Sequence, residues 1–152
     1  MALTTTTHLN FRGDARAALE FYQSVFGGHL TVVAYRDFGL PEGLPDSDKV
    51  VFGQVTAESG FRIMAYDVPS SAGPAAPPAA TTRENGMTLT GERFFVSVAG
   101  ETAEEAGPLW DKLADGAVIV EKFGPSPFSP GFGMLTDRFG VTWIVQVPAG
   151  TP

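Results

Sequence analysis

The sequence predicts an α+β fold made of two tandem β-α-β-β-β modules, and three observations carry that prediction. An order of strand, helix and three strands can be read twice along the 152 residues. A stretch rich in Pro, Ala, Ser and Thr, PSSAGPAAPPAATTRENG from Pro69 to Gly86, separates the two readings. Each helix also carries an aromatic residue six positions before its terminating glycine, Phe21 before Gly27 and Trp110 before Gly116. Self-similarity of this kind, at a period near eighty residues, is the mark of a duplicated module. A single eight-stranded α+β sheet with two helices satisfies the same local patterns and stays open at this level.

The first module is expected over about residues 4–68. Leu9-Asn10-Phe11 alternates apolar and polar, as a half-buried strand does. Asp14 stands as an N-cap before ARAALEFYQSVF, where Ala18, Leu19, Tyr22, Val25 and Phe26 recur at helical spacing. Gly27-Gly28 supplies the left-handed stop. HLTVVAYR is rich in β-branched residues and reads as the second strand. After a Pro- and Gly-rich connection, KVVFGQVTA and FRIMAYDV flank the turn Glu58-Ser59-Gly60 and form a hairpin.

The linker is expected over about residues 69–88, without a strand ladder and open to proteases. The second module follows over about residues 89–148. RFFVSV is a strand, and Thr102 with Glu105 forms a capping box ahead of a helix whose apolar face is Leu109, Trp110 and Leu113. AVIVEKF, FGMLTD and VTWIVQV are the remaining strands, the last two joined by the turn Asp137-Arg138-Phe139-Gly140.

Composition excludes several function classes. The hydrophobic fraction is 43% and the charged fraction 18%, values of a globular chain. No apolar run approaches a membrane span, and the N-terminal residues lack the pattern of a signal peptide, so a cytoplasmic location without a membrane partner is expected. The chain has no cysteine, which removes disulfides and thiolate chemistry. Ten basic residues against seventeen acidic give a net charge of -7, the opposite of a phosphate-binding surface, so no nucleic-acid partner is expected.

HLNFRGDARAALEFYQSVFGG resembles the opening of PhnB-like proteins, in which a Leu-x-Phe strand leads to a helix ending Phe-Tyr-x-x-x-Phe-Gly-Gly. FGMLTDRFGVTWIVQV is similar to their closing signature, Asp-x-Phe-Gly-x-x-Trp. The two segments bracket nearly the whole chain. They identify it with the PhnB-like branch of the glyoxalase/bleomycin-resistance/extradiol-dioxygenase (vicinal oxygen chelate) superfamily. One departure is visible: relatives often carry a Trp where this chain reads Phe128-Ser129-Pro130. The resemblance implies that the modules enclose a small-molecule cleft, with their helices packed outside, and that the protein is a homodimer. Two-fold pairing is the commonest symmetry of soluble oligomers.

Given that fold, period-two alternation assigns the faces. Val141, Trp143 and Val145 should pack on a helix, leaving Thr142, Ile144 and Gln146 toward the cleft. Leu9 and Phe11 should face the helix, leaving His8 and Asn10 toward the cleft. Tyr66 and Arg93 complete the cleft-facing candidates, Tyr66 and Gln146 as hydrogen-bonding groups and Arg93 as a partner for an anionic ligand.

Metal-dependent members of the superfamily hold a divalent ion (Zn, Ni, Mn or Fe) with His, Glu or Gln from four strand positions, two per module. Carried onto this chain, those positions fall on His8, Met64, Arg93 and Ile144. Only His8 is a plausible ligand, because a thioether, a cation and an alkyl chain do not suit such an ion. No metal and no cofactor are therefore expected. His29 opens a strand after a helix stop and reads as solvent-facing. Glu92 and Glu121 would serve as general bases only if buried. Ser24, Ser97 and Ser129 lack a His/Asp context, and no catalytic residue is assigned. Phe123, Phe128 and Phe132 fall in and around a Pro/Gly-rich loop and suit an apolar pocket or a subunit contact.

Three functions compete on these grounds. The first is a metal-free, ligand-binding protein. The second is a divalent-metal lyase, isomerase or dioxygenase. The third is an interaction protein whose cleft is vestigial.

Overall fold

The computed structural model describes residues 2–77 and 79–149. The chain divides into two compact units, Met1–Ala76 and Pro77–Pro152. In the first, β1 (Thr7–Phe11), α1 (Ala15–Phe26), β2 (His29–Ala34), β3 (Val50–Thr56) and β4 (Arg62–Asp67) follow one another, with a 3-10 turn at Tyr35–Phe38. The sheet runs β1-β4-β3-β2, with β1 parallel to β4 and the other pairs antiparallel. In the second unit, β5 (Thr81–Glu84) and β6 (Met87–Thr90) come first. Then follow β7 (Val96–Ala99), α2 (Ala103–Ala114), β8 (Val118–Ser126), β9 (Ser129–Thr136) and β10 (Thr142–Val147). Its main sheet runs β7-β10-β9-β8, again with the first pair parallel. The repeated β-α-β-β-β order is thus present with the same strand order in both units.

The repeat extends to packing. Ala18, Tyr22 and Val25 are buried on α1, and Ala106, Trp110 and Leu113 are buried on α2 with the same spacing. The aromatic counterpart of Trp110 is therefore Tyr22. Phe21, which the glycine spacing selects, is only half-buried. Under each helix the sheet presents a glycine at the same register. Gly53 precedes Gln54, the partner of Met64, and Gly133 precedes Met134, the partner of Ile144. A Cβ on Gly53 would sit 2.3 Å from Leu19 Cδ1, and one on Gly133 would sit 2.7 Å from Trp110 Cζ3. Helix and sheet approach so closely there that any side chain would be overpacked.

Helix starts differ from the expectation. Asp14 occupies the N-cap position without a side-chain cap hydrogen bond. The first helical amide, that of Ala15, and the Gly13 amide before it are taken instead by Asp67 at the end of β4. Its Oδ1 accepts from Gly13 N at 2.7 Å and Ala15 N at 3.1 Å, and its Oδ2 accepts from Val50 N at 2.9 Å. One buried carboxylate thus fixes the helix start and the entry to β3 together. In α2 the capping box is half formed. Thr102 Oγ1 accepts from Glu105 N at 3.2 Å, while the Glu105 carboxylate accepts from Glu101 N at 3.1 Å.

The linker expectation needs its own correction, because residues 81–90 form a hairpin. Asn85 (φ 51) and Gly86 (φ 76) occupy its two-residue turn, the left-handed pair a tight hairpin requires. The Pro and Ala content of residues 69–80 overshadowed an Asn-Gly signal standing between two Thr-rich runs.

Candidate functional site

In each unit one sheet face packs on the helix and the other faces away from it, and the candidate residues other than Arg93 stand on the away face. In the first unit His8 pairs with Met64, and Asn10 with Tyr66, across β1 and β4. Met64 then pairs with Gln54 on β3, and Gln54 with Thr31 on β2. His8 and Asn10 are exposed and Tyr66 is half-buried. The His8 and Tyr66 rings meet edge-on at 6.4 Å, and His8 Nδ1 lies 3.1 Å from Thr6 O. This is a ring and amide surface able to exchange hydrogen bonds with a ligand.

In the second unit Ile144 pairs with Ser97 on β7 and with Met134 on β9, and Met134 pairs with Glu121 on β8. Gln146 Nε2 donates to Ser97 Oγ at 3.3 Å. The buried Thr142 hydroxyl lies 2.8 Å from that of Thr136. Arg93 precedes β7 and is exposed. The register partner of Ile144 is Ser97, four residues further on, because the strand begins at Val96. The β-branched and aromatic character of RFFVSV hid that late start.

The superfamily's metal positions can be tested against this register, module by module. The first unit offers His8 and Met64, and the second offers Ser97 and Ile144. An imidazole, a thioether, a neutral hydroxyl and an alkyl chain do not make a site for Zn, Ni, Mn or Fe. Among the described residues no group of three or more His, Asp or Glu is placed to hold an ion. The residues present do not fit the group.

Other polar residues stand apart from these faces or have structural duties. Asp137 Oδ1 accepts from Phe139 N at 2.8 Å and Val141 N at 3.0 Å, and Oδ2 accepts from the Trp143 indole at 2.9 Å. The turn and the buried Trp143 account for it fully. His29 is exposed beside Thr56, Glu58 and Ser59, which line a hollow of about 500 Å³. Tyr35 donates its hydroxyl to Asp67 O at 2.8 Å. Burial first, then the carboxylates of Asp67 and Asp46, push its phenol up from the ordinary value.

Sequence reasoning missed one charged group on the second unit, Arg83 of β5. Its guanidinium lies over the Phe132 ring, 5.0 Å from the centroid, and pairs with Glu121 at 3.4 Å. The Asn85-Gly86 turn was the signal that places it on a strand.

Among the described residues no helix is long and apolar enough to cross a membrane. The family model described as Glyoxalase/Bleomycin resistance protein/Dioxygenase superfamily matches residues 6–145. Protein YjdN of Escherichia coli (strain K12) is 24% identical over 155 residues, covering 95% of each chain. The crystal structure of protein PA1353 from Pseudomonas aeruginosa superposes with a TM-score of 0.75 at 28% identity, covering 97% of this chain and 98% of that one. A structure from Bacillus cereus, described as a putative 3-demethylubiquinone-9 3-methyltransferase, PhnB protein, gives 0.66 at 27% identity, with coverage of 95% and 99%. The PhnB-like resemblance of the two end segments has its counterpart there.

Proposed function

Because the chain belongs to the glyoxalase/bleomycin resistance protein/dioxygenase superfamily, we propose that it is a small-molecule-binding protein that works without the superfamily's divalent ion. The ligand lies against the sheet faces turned away from the helices. On the first unit that face carries His8, Asn10 and Tyr66, and on the second unit, taken by itself, it carries Thr142, Ile144 and Gln146. The observation that carries this reading is the donor set: His8, Met64, Ser97 and Ile144 stand at the strand positions where a metal would need nitrogen or carboxylate ligands. Amide, phenol and hydroxyl groups on these faces suit orientation of a ligand better than activation of a water.

Elemental analysis of protein purified without an affinity tag tests it. Well under one equivalent of Zn, Ni, Mn or Fe is expected, and ligand-induced thermal shifts should survive chelator unchanged. One tightly held equivalent, with shifts lost on chelation, would return the protein to the metal-dependent lyases, isomerases and dioxygenases.

A further inference from the structure

The β5–β6 hairpin is turned the wrong way round for a simple cover. Its register pairs Thr81 with Thr90 and Arg83 with Thr88 on one face, and Thr82 with Leu89 and Glu84 with Met87 on the other. Thr81 is buried and the Arg83 side chain is 12% exposed, whereas Met87 and Leu89 are 59% and 47% exposed. A hairpin that only shielded the sheet would bury its methionine and leucine. This one turns hydroxyls and a guanidinium inward.

The inward groups meet a mixed surface. Arg83 lies over Phe132, which in turn meets Phe128 edge-on at 5.2 Å. One terminal nitrogen of Arg83 donates to Thr88 Oγ1 at 2.9 Å. Arg83 Nε stands 3.4 Å from Glu121 Oε2, yet it is buried and makes no hydrogen bond. The ion pair is therefore poorly aligned, and a buried donor is left unfilled, which is costly in a site shielded from water. The Glu121 side chain is 46% exposed, so it can turn to solvent cheaply.

From this geometry we infer that Arg83 anchors a subsite for small organic carboxylates. The ligand's carboxylate takes the place that Glu121 fills imperfectly, and its apolar part lies beside Phe132 and Phe128. A planar carboxylate accepts from Nε and a terminal nitrogen of one guanidinium together, the fork that Glu121 does not complete. The net charge of -7 does not oppose this, because the local field at a buried guanidinium outweighs a distant average. The subsite deepens the small-molecule-binding reading and rests on it.

Titration of the ¹⁵N-labelled full chain with benzoate, benzamide and benzylammonium, followed by amide chemical shifts, tests the inference. Benzoate should move amides of β5, β6 and β8 saturably, and neutral benzamide should not. Arg83→Gln should weaken benzoate at least about tenfold, the loss of one charge-assisted pair. Arg83→Lys should hold the hairpin in place and bind with intermediate affinity. Glu121→Gln should tighten benzoate several-fold, a gain that a purely structural ion pair does not produce. No saturable shift up to the solubility limit of benzoate, equal affinity for benzamide, undiminished binding in Arg83→Gln, or unchanged or weaker binding in Glu121→Gln would each overturn it. If benzamide or benzylammonium bound the sheet faces while benzoate did not, the carboxylate subsite would fall and the ligand-binding reading would stand. Stoichiometric metal in the elemental analysis would remove the metal-free part of that reading whatever benzoate did.

Discussion

Phe52 on β3 and Phe132 on β9 occupy the same register, one residue before the glycines beneath their helices, yet Phe52 is 36% exposed and Phe132 only 8%. The Arg83 guanidinium lies over Phe132, and the described residues of the first unit contain no counterpart of the hairpin that brings it there. The helix starts differ in the same spirit. Asp67 reaches back from the end of β4 to cap α1, while Val147 ends β10 and α2 is capped by its own Thr102. The two units repeat what the backbone demands, namely strand order, helix spacing and a glycine at the closest approach. They differ in the side chains laid over that frame, and the chemistry resides in those differences.

The comparison of caps is the one most easily broken. Asp67→Ala leaves three backbone donors without an acceptor, so a loss of about 3 kcal/mol or more is expected in chemical denaturation, at 1–3 kcal/mol per unsatisfied group. Thr102→Ala should cost about 1 kcal/mol, the ordinary value of an exposed N-cap. Similar losses in the two variants would mean that Asp67 does not tie α1 to β3 as its hydrogen bonds indicate.

Gly53→Ala and Gly133→Ala sharpen the equivalence of the two frames. Each inserts a methyl at less than van der Waals distance and should destabilise by about 1–3 kcal/mol. Each Cβ would also meet a backbone atom at 2.9 Å, Ala65 O at Gly53 and Phe123 Cα at Gly133, so the side chains make the difference. Gly133 should be the more sensitive, because its Cβ meets the rigid Trp110 ring. At Gly53 the nearest atom is the movable end of Leu19. A neutral result at either position in urea melts would show that helix and sheet stand further apart there.

The smallest effect is expected from pH. Tyr35 has a phenol raised above its ordinary value of 10.0 by burial and neighbouring carboxylates. The folded state therefore holds this proton more firmly than the unfolded state does. Its stabilising contribution is complete below pH 10 and is lost as pH climbs through the raised value. Denaturation midpoints of the wild type should fall more steeply above pH 10 than those of Tyr35→Phe, and parallel slopes would show that Tyr35 titrates alike in both states.

Legibility followed the range of the interactions. The helix over residues 15–26 and the hairpin joining β3 to β4 were readable because their signals are periodic and local. Asp137 was readable as a turn residue because its backbone partners lie within four positions. Asp67 carried no such signal, since its partners are 54, 52 and 17 residues away. Arg93 was assigned to a strand face by carrying the superfamily's positions onto RFFVSV. Alternation gives the period but not the first residue of the strand, and the late start of β7 brought Ser97 to Ile144.

By itself, the amino-acid sequence determined the two β-α-β-β-β units, the faces of their helices and the superfamily, because spacing and turn chemistry act over a few residues. Tertiary structure alone decided which carboxylate caps α1, which residue of β7 meets β10, and that Arg83 lies on Phe132. Each of these requires strands distant in the chain to meet in one register, and that choice is made by packing and hydrogen bonding across the sheet.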